Sequence, residues 1–362
     1  MLRISASVGQ RGTNRRADAV AIQAALNRIP AHLGGAAPAL VEDGVVGPRT
    51  IGAIRGFQQK NAGLGQDGRI DPDRGTLGRM NQVLGHVPGT PTRFTDANLY
   101  RGSGPSPSDI KQDAFGDCYF VATLGAVARQ NPAVIRRAIE YDDATQSFRV
   151  RLFDTTGAPR ALVVTQAELH DNVRRRGGSY VDNTGKYERV WPAVLETAYA
   201  KMFDSNPADG LGEGYQHVVH GGWPADAMTA ITGSAGREVR YVHHASLGVD
   251  GSVAVLGARV CVAMRQRKSV TLWSVPEKDS RGFWARLTGA PIPQDGLVDN
   301  HLYTVMKLTR ARTRKDWDVT VRNPWGTNVG VGEGRDTRTA TMTVSLLDLV
   351  KTGGLHAFQV SY

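Results

Sequence analysis

Apolar positions over residues 1–84 recur at three- and four-residue steps, the period of a helix with one buried face. Val20, Ile22, Ala25 and Leu26 mark such a face in Ala17–Asn27, and Ile51, Ile54 and Phe57 mark a second in Arg49–Gln59. Between them lies Glu42-Asp43-Gly44-Val45-Val46-Gly47-Pro48, where Asp-Gly and Gly-Pro pairs demand tight turns and Pro48 suits the first turn of the next helix. The same logic returns at Gln66-Asp67-Gly68-Arg69-Ile70-Asp71-Pro72. Asp43 and Asp67 fit these turns because a short carboxylate can bond its own backbone two residues on. The pattern predicts a small helical bundle over residues 1–84.

From 85 to 107 no helical or strand period survives, and Gly, Pro, Thr and Ser dominate, as in a linker. Beyond it, two amphipathic helices are expected at Cys118–Gln130 and Pro192–Phe203. Strand-like runs follow at Phe148–Phe153, Ala161–Thr165, Val260–Met264, His301–Leu308, Trp317–Val321, Thr339–Val344 and Phe358–Tyr362. Helices first and mainly antiparallel strands afterwards predict an α+β fold over 108–362, with two lobes and a cleft between them.

Composition narrows the function. The chain has 362 residues, 41% apolar and 22% charged, which suits two or three domains with at least one large core. No apolar stretch approaches the roughly 18 to 20 residues of a membrane-spanning helix. Met1–Gln10 lacks the charged and apolar regions of a secretory leader, so a cytoplasmic protein, or one exported to the envelope by a leaderless route, is expected. The two cysteines, Cys118 and Cys261, support neither a disulfide framework nor a Cys-rich zinc site. Half of the net charge of +10 falls in residues 1–90, favouring anionic polymers, but no nucleic-acid motif accompanies it and no nucleic-acid partner is expected.

The candidate chemistry centres on Cys118. It stands at the predicted first turn of a helix, with Gln112 six residues before it. A helix N-terminus and a nearby imidazolium can lower a thiol pKa, and backbone N–H groups with a side-chain amide can bind an oxyanion. His301 opens one predicted strand and Asn323 ends the next, so neighbouring strands could set an imidazole beside an amide that orients it. His217 and His220, like His243 and His244, lack a third ligand of zinc spacing, so no metal site is predicted.

Five motifs in order, "QDAFGDCYF", "VWPAVLETAYAKMF", "GGWPADAMTAITG", "NHLYTV" and "VRNPWG", resemble the catalytic core of calpain-type cysteine proteases, which are papain-like. The resemblance implies Cys118 as nucleophile, His301 as general base and acid, Asn323 as the orienting residue and Gln112 as oxyanion donor. It further implies that Trp325 shields the His–Asn contact and that Gly116, Gly221 and Gly222 line the substrate cleft. Tyr119-Phe120 replaces the usual Trp-Leu, and Asn300 replaces Gly before the histidine, as plausible bacterial variation. No EF-hand loop is visible; no cofactor is expected, with calcium dependence left open. Residues 8–83 resemble a peptidoglycan-binding-like domain, a module that binds cell-wall glycopeptide in some proteins and covers a catalytic domain in others. The expected activity is endopeptidase cleavage of protein or peptide substrates. The rivals are hydrolysis of peptidoglycan stem peptides and an inactive protein that kept the protease shape.

Overall fold

The fold is described from a computed structural model covering residues 2–29, 31–61, 63–72, 74–86, 93–102, 104–112, 115–175, 177, 189–206, 210–279, 295–311, 316–328 and 339–362. The N-terminal part pairs β1 (Val8–Gly9) with β2 (Arg69–Ile70) beside α1 (Arg16–Arg28), α2 (Pro48–Lys60) and α3 (Gly75–His86). Its own apolar cluster includes Val8, Ile22, Leu26, Ile54, Phe57, Ile70 and Met80. Two glutamines lock the repeated turns. Gln23 Nε2 donates to Asp43 Oδ1 (3.0 Å) and the Val45 carbonyl (3.1 Å), while its Oε1 accepts from Gly44 N. Gln58 does the same toward Asp67, the Arg69 carbonyl and Gly68 N. Asp43 and Asp67 each also accept the backbone N–H two residues on, as their turn chemistry requires.

The stretch expected as a linker is partly packed. Phe94 and Leu99 are buried, α4 (Asp96–Leu99) has a capping box from Thr95 and Asn98, and Pro107–Asp109 forms a 3₁₀ turn. Two apolar residues among polar ones give no period, which is why the sequence pattern did not show them. Residues 87–92 of that stretch lie outside the described residues.

A helix-rich core follows. α5 (Cys118–Gln130) runs through its centre, and α6 (Pro132–Ala138) leads into an antiparallel meander of β3 (Ile139–Asp142), β4 (Ser147–Phe153) and β5 (Pro159–Val164). Around these pack α7 (Gln166–Arg175), α8 (Trp191–Lys201), α9 (Gly212–Val219) and α10 (Pro224–Thr232). α8 is buried along its whole described face from Trp191 to Ala200, and Pro192 sits in its first turn, where the missing donor is unused.

A six-stranded antiparallel sheet builds the third core in the order β10-β9-β8-β7-β11-β6. Its strands are β6 (Arg237–Val239), β7 (Val270–Ser274), β8 (Leu302–Arg310), β9 (Trp317–Arg322), β10 (Thr341–Ser345) and β11 (Leu355–Val360). α11 (Gly248–Arg265) and α12 (Leu346–Thr352) pack on it. The run Val260–Met264, expected as a strand, belongs to α11: Val253, Leu256, Val260 and Ala263 are buried at helical spacing while Val262 faces solvent. Five consecutive apolar residues fit a strand and a buried helix equally well, and only the longer window separates them. Cys261 is therefore a half-buried helix residue. The chain is a mixed helix and sheet protein with antiparallel sheets.

Candidate active site

α5 lies along β8, and this contact joins the helix-rich core to the sheet. Thr304 Oγ1 donates to the Ala122 carbonyl (2.7 Å), and Gly125 lets the helix approach, since a Cβ there would collide with Thr304. Cys118 opens α5 and is half-buried, packed against the helix-rich core. The Leu302 backbone N–H bears on its sulfur, so the thiol lies against the peptide that follows His301. Asp113 and Ala114 of the motif before it lie outside the described residues.

His301 is pinned from both sides. Its carbonyl accepts from Ser274 N (3.0 Å) and Ser274 Oγ (2.9 Å) of the neighbouring strand. Asn300 before it adopts φ 51, the left-handed region that asparagine tolerates better than most residues, which explains how it stands where the resemblance expects glycine. The ring Nε2 meets Asn323 Oδ1 at 3.0 Å, and that oxygen also accepts the Trp325 backbone N–H at 3.0 Å. An amide oxygen can only accept, so His301 carries its proton on Nε2 and leaves Nδ1 with a free lone pair. Trp325 and Tyr303 close over the imidazole, with ring centroids at 4.7 and 4.9 Å. Burial pushes the His301 pKa down to about 4, against the Asn323 bond that favours the charged ring.

Cys118 departs from expectation. Burial pushes its thiol up to about 11, outweighing the N–H groups of Leu302, Tyr119 and Cys118 itself, and the adjacent Asp117 pushes the same way. The resting site therefore holds a thiol and a neutral imidazole. Gln112 also differs from a free oxyanion donor: its Nε2 donates to the Phe115 carbonyl (2.8 Å) and to Asp117 Oδ1 (3.2 Å), which engages both amide hydrogens. Its backbone N–H donates to the Pro324 carbonyl (2.7 Å), tying the Gln112 segment to the turn after Asn323. Gly116 approaches the Val219 carbonyl too closely to admit a Cβ, and Gly222 lies flat against the Tyr119 ring. Gly221, at φ 88, is exposed beside it.

Two features of the site leave little trace in the sequence. Asp117 and Glu196 are both fully buried, and burial together with the Glu196 charge raises Asp117 well above its ordinary value. Glu196, the one charged residue in the buried run Trp191–Ala200, was the signal available. Arg322, directly before Asn323, is 8% exposed; it donates to the Ile110 carbonyl (3.0 Å) and the Asn323 carbonyl (3.2 Å) and faces the buried Asp109. Asp109 also accepts from Trp191 Nε1 (2.9 Å) and pairs with Arg189 at 3.6 Å. Nothing in the sequence distinguishes Arg322 from a surface arginine. Among the described residues no group of three metal-ligating side chains converges, and no helix is long and apolar enough to cross a membrane.

Residues 89–340 match the calpain family cysteine protease description, and the chain belongs to that family. It is similar to rat (Rattus norvegicus) calpain-13, at 26% identity over 237 residues, which is 62% of this chain and 30% of that protein. Similar too are the calpain-type cysteine protease DEK1 of Zea mays, 27% identical over 64% of this chain and 9% of the relative, and a thiol protease of Porphyromonas gingivalis, 23% identical over 62% and 45%. The chain thus spans less than half the length of each of these relatives. The N-terminal helical part lies outside the matched span.

Proposed function

We propose that this protein is a cysteine endopeptidase acting on protein segments through Cys118, His301 and Asn323 in a two-lobed papain-like core. The observation that carries the reading is the buried His301 Nε2–Asn323 Oδ1 bond beside a helix-start thiol, in a chain of the calpain family. As Cys118 Sγ bonds to the peptide carbonyl carbon, Nδ1 of His301 takes the thiol proton, and the Asn323 oxygen steadies the imidazolium. The developing oxyanion recruits the Cys118 backbone N–H and one hydrogen of Gln112. The Asp117 bond is the longer of the two that Gln112 makes, so this bond yields first. His301 then protonates the leaving amine and deprotonates the water that hydrolyses the thioester. Gly116, Gly221 and Gly222 line the path of the substrate backbone, and Trp325 keeps water from the His–Asn contact.

Unfolded casein tests this. Wild type is expected to cleave it, Cys118→Ala to lose cleavage, and a peptidyl epoxide to label Cys118 alone; intact casein and an unlabelled thiol would leave a binding protein that kept the protease shape. The N-terminal part supports a second element of the proposal, a peptidoglycan-binding-like module that holds cell-wall glycopeptide or restrains the protease. Its paired glutamine-locked turns and separate core favour a self-contained unit, and α1 meets α7 on the helix-rich core. Co-sedimentation with purified sacculi checks the first role. Release of muropeptides without casein cleavage would favour a stem-peptide hydrolase instead.

A further inference from the structure

A cavity of about 210 Å³ is lined in part by Gly221, Gly222 and Tyr119, the residue that follows Cys118. It is smaller than the roughly 300–1,000 Å³ typical of small-molecule sites and suits a single side chain. Five of its lining residues carry rings, Tyr119, Phe153, Tyr199, Phe203 and His217. Tyr119 and Tyr199 sit edge to face at 6.3 Å, Phe203 packs against Tyr199 at 5.1 Å, and His217 stacks on Phe203 at 3.9 Å. The charged groups in this lining are Asp154 and Asp226, with no Lys or Arg among them, although the chain as a whole carries a net +10. Asp226 bears on both tyrosine hydroxyls, helping burial to push Tyr199 up to about 12, so the cavity is negative as well as aromatic.

Each carboxylate also has an ordinary structural use. Asp226 stands in the first turn of α10, where a negative charge suits the helix dipole, and Asp154 Oδ1 closes the β4–β5 turn through Thr156 and Ala158, with Arg160 nearby. Neither use requires five rings around an open cavity. Ring faces attract cations, and a carboxylate at the mouth adds a charge partner for an ammonium or guanidinium whose apolar stem lies on the rings.

We propose that this cavity is a specificity pocket for a lysine or arginine side chain of the substrate, with Asp226 as its charge partner. The inference rests on the protease reading of the adjoining site. A cleavage profile of the full-length protein on a peptide library is expected to show Lys or Arg at one fixed position from the scissile bond. Replacing that residue by norleucine should lower kcat/KM about tenfold, the size of a partly desolvated cation–ring and charge contact. Asp226→Asn should bring the Lys-to-norleucine ratio close to one; a purely structural role for Asp226 would lower both rates and keep the ratio. Binding of the Lys and norleucine peptides to Cys118→Ala measures the pocket apart from the chemistry. Equal affinity for both peptides, or a ratio unmoved by Asp226→Asn, overturns the pocket whether or not cleavage occurs. Loss of epoxide labelling and of all cleavage, with the binding preference retained, would overturn the protease reading alone.

Discussion

At the scale of single residues, the protonation states of Cys118 and His301 set what the site does first. A thiol near pKa 11 reacts slowly at neutral pH, so alkylation of the resting protein by iodoacetamide should climb steadily through pH 9. A rate plateau between pH 5 and 8 would instead mean a preformed thiolate–imidazolium pair. His301 has a stability signature of its own. Between its ordinary 6.5 and the folded value of about 4, the unfolded chain takes up a proton that the buried ring refuses. Its contribution is whole above 6.5 and is lost as pH falls to 4, at most about 3 kcal/mol. Denaturant midpoints at pH 7 and pH 4.5 should therefore differ less for His301→Gln than for wild type. Asp117 acts with the opposite sign: its raised pKa makes the native state bind the extra proton, so stability drains as pH rises above the usual carboxylate range.

At the scale of elements, the site depends on two bodies meeting in one register. β7 pairs with β8 at Trp273 and Leu302, and Ser274 holds the His301 carbonyl, so the sheet fixes the imidazole backbone. β8 in turn pairs with β9 at Thr304 and Arg322, which brings Asn323 alongside. Arg322 extends this link to the helix-rich core through Ile110 and Asp109. Burial lowers its pKa to about 10, yet it remains charged at neutral pH and needs its partners. Arg322→Met should cost about 3–5 kcal/mol by leaving buried acceptors and part of the Asp109 charge unpaired. It should also lower kcat more than it raises KM, because Asn323 and the Gln112 segment lose one of their two ties and keep only the Gln112 N–H bond to the Pro324 carbonyl; thermal melts and steady-state kinetics read both effects.

Across the whole molecule, three apolar clusters share one chain. The cluster from Ile4 to Val83 closes on itself through Gln23 and Gln58 and the paired strands β1 and β2. Calorimetry of the intact protein should show a separate transition for this unit. Gln58→Leu, which leaves the Gly68 N–H without its acceptor, should lower that transition by about 2–3 kcal/mol and leave the others in place. Movement of all transitions together would mean that the three cores fold as one.

The sequence by itself determined the elements whose period is long and unbroken. It marked α1, α2, α5 and α8 and most of the large sheet, because burial on one face repeats along the chain. It placed Cys118 at a helix start and His301 and Asn323 at strand ends, positions the structure shares, while the roles of these three residues come from the resemblance to the calpain family and not from the period. Tertiary structure decided what depends on remote partners. Phe94 and Leu99 lock a stretch of linker composition into a core, and Val260–Met264 becomes helix because its buried stripe continues from Val253. Whether the thiol is acidic, whether Gln112 is free and whether Arg322 is buried depend on desolvation by segments far away in sequence. A local pattern carries no record of the solvent that folding removes.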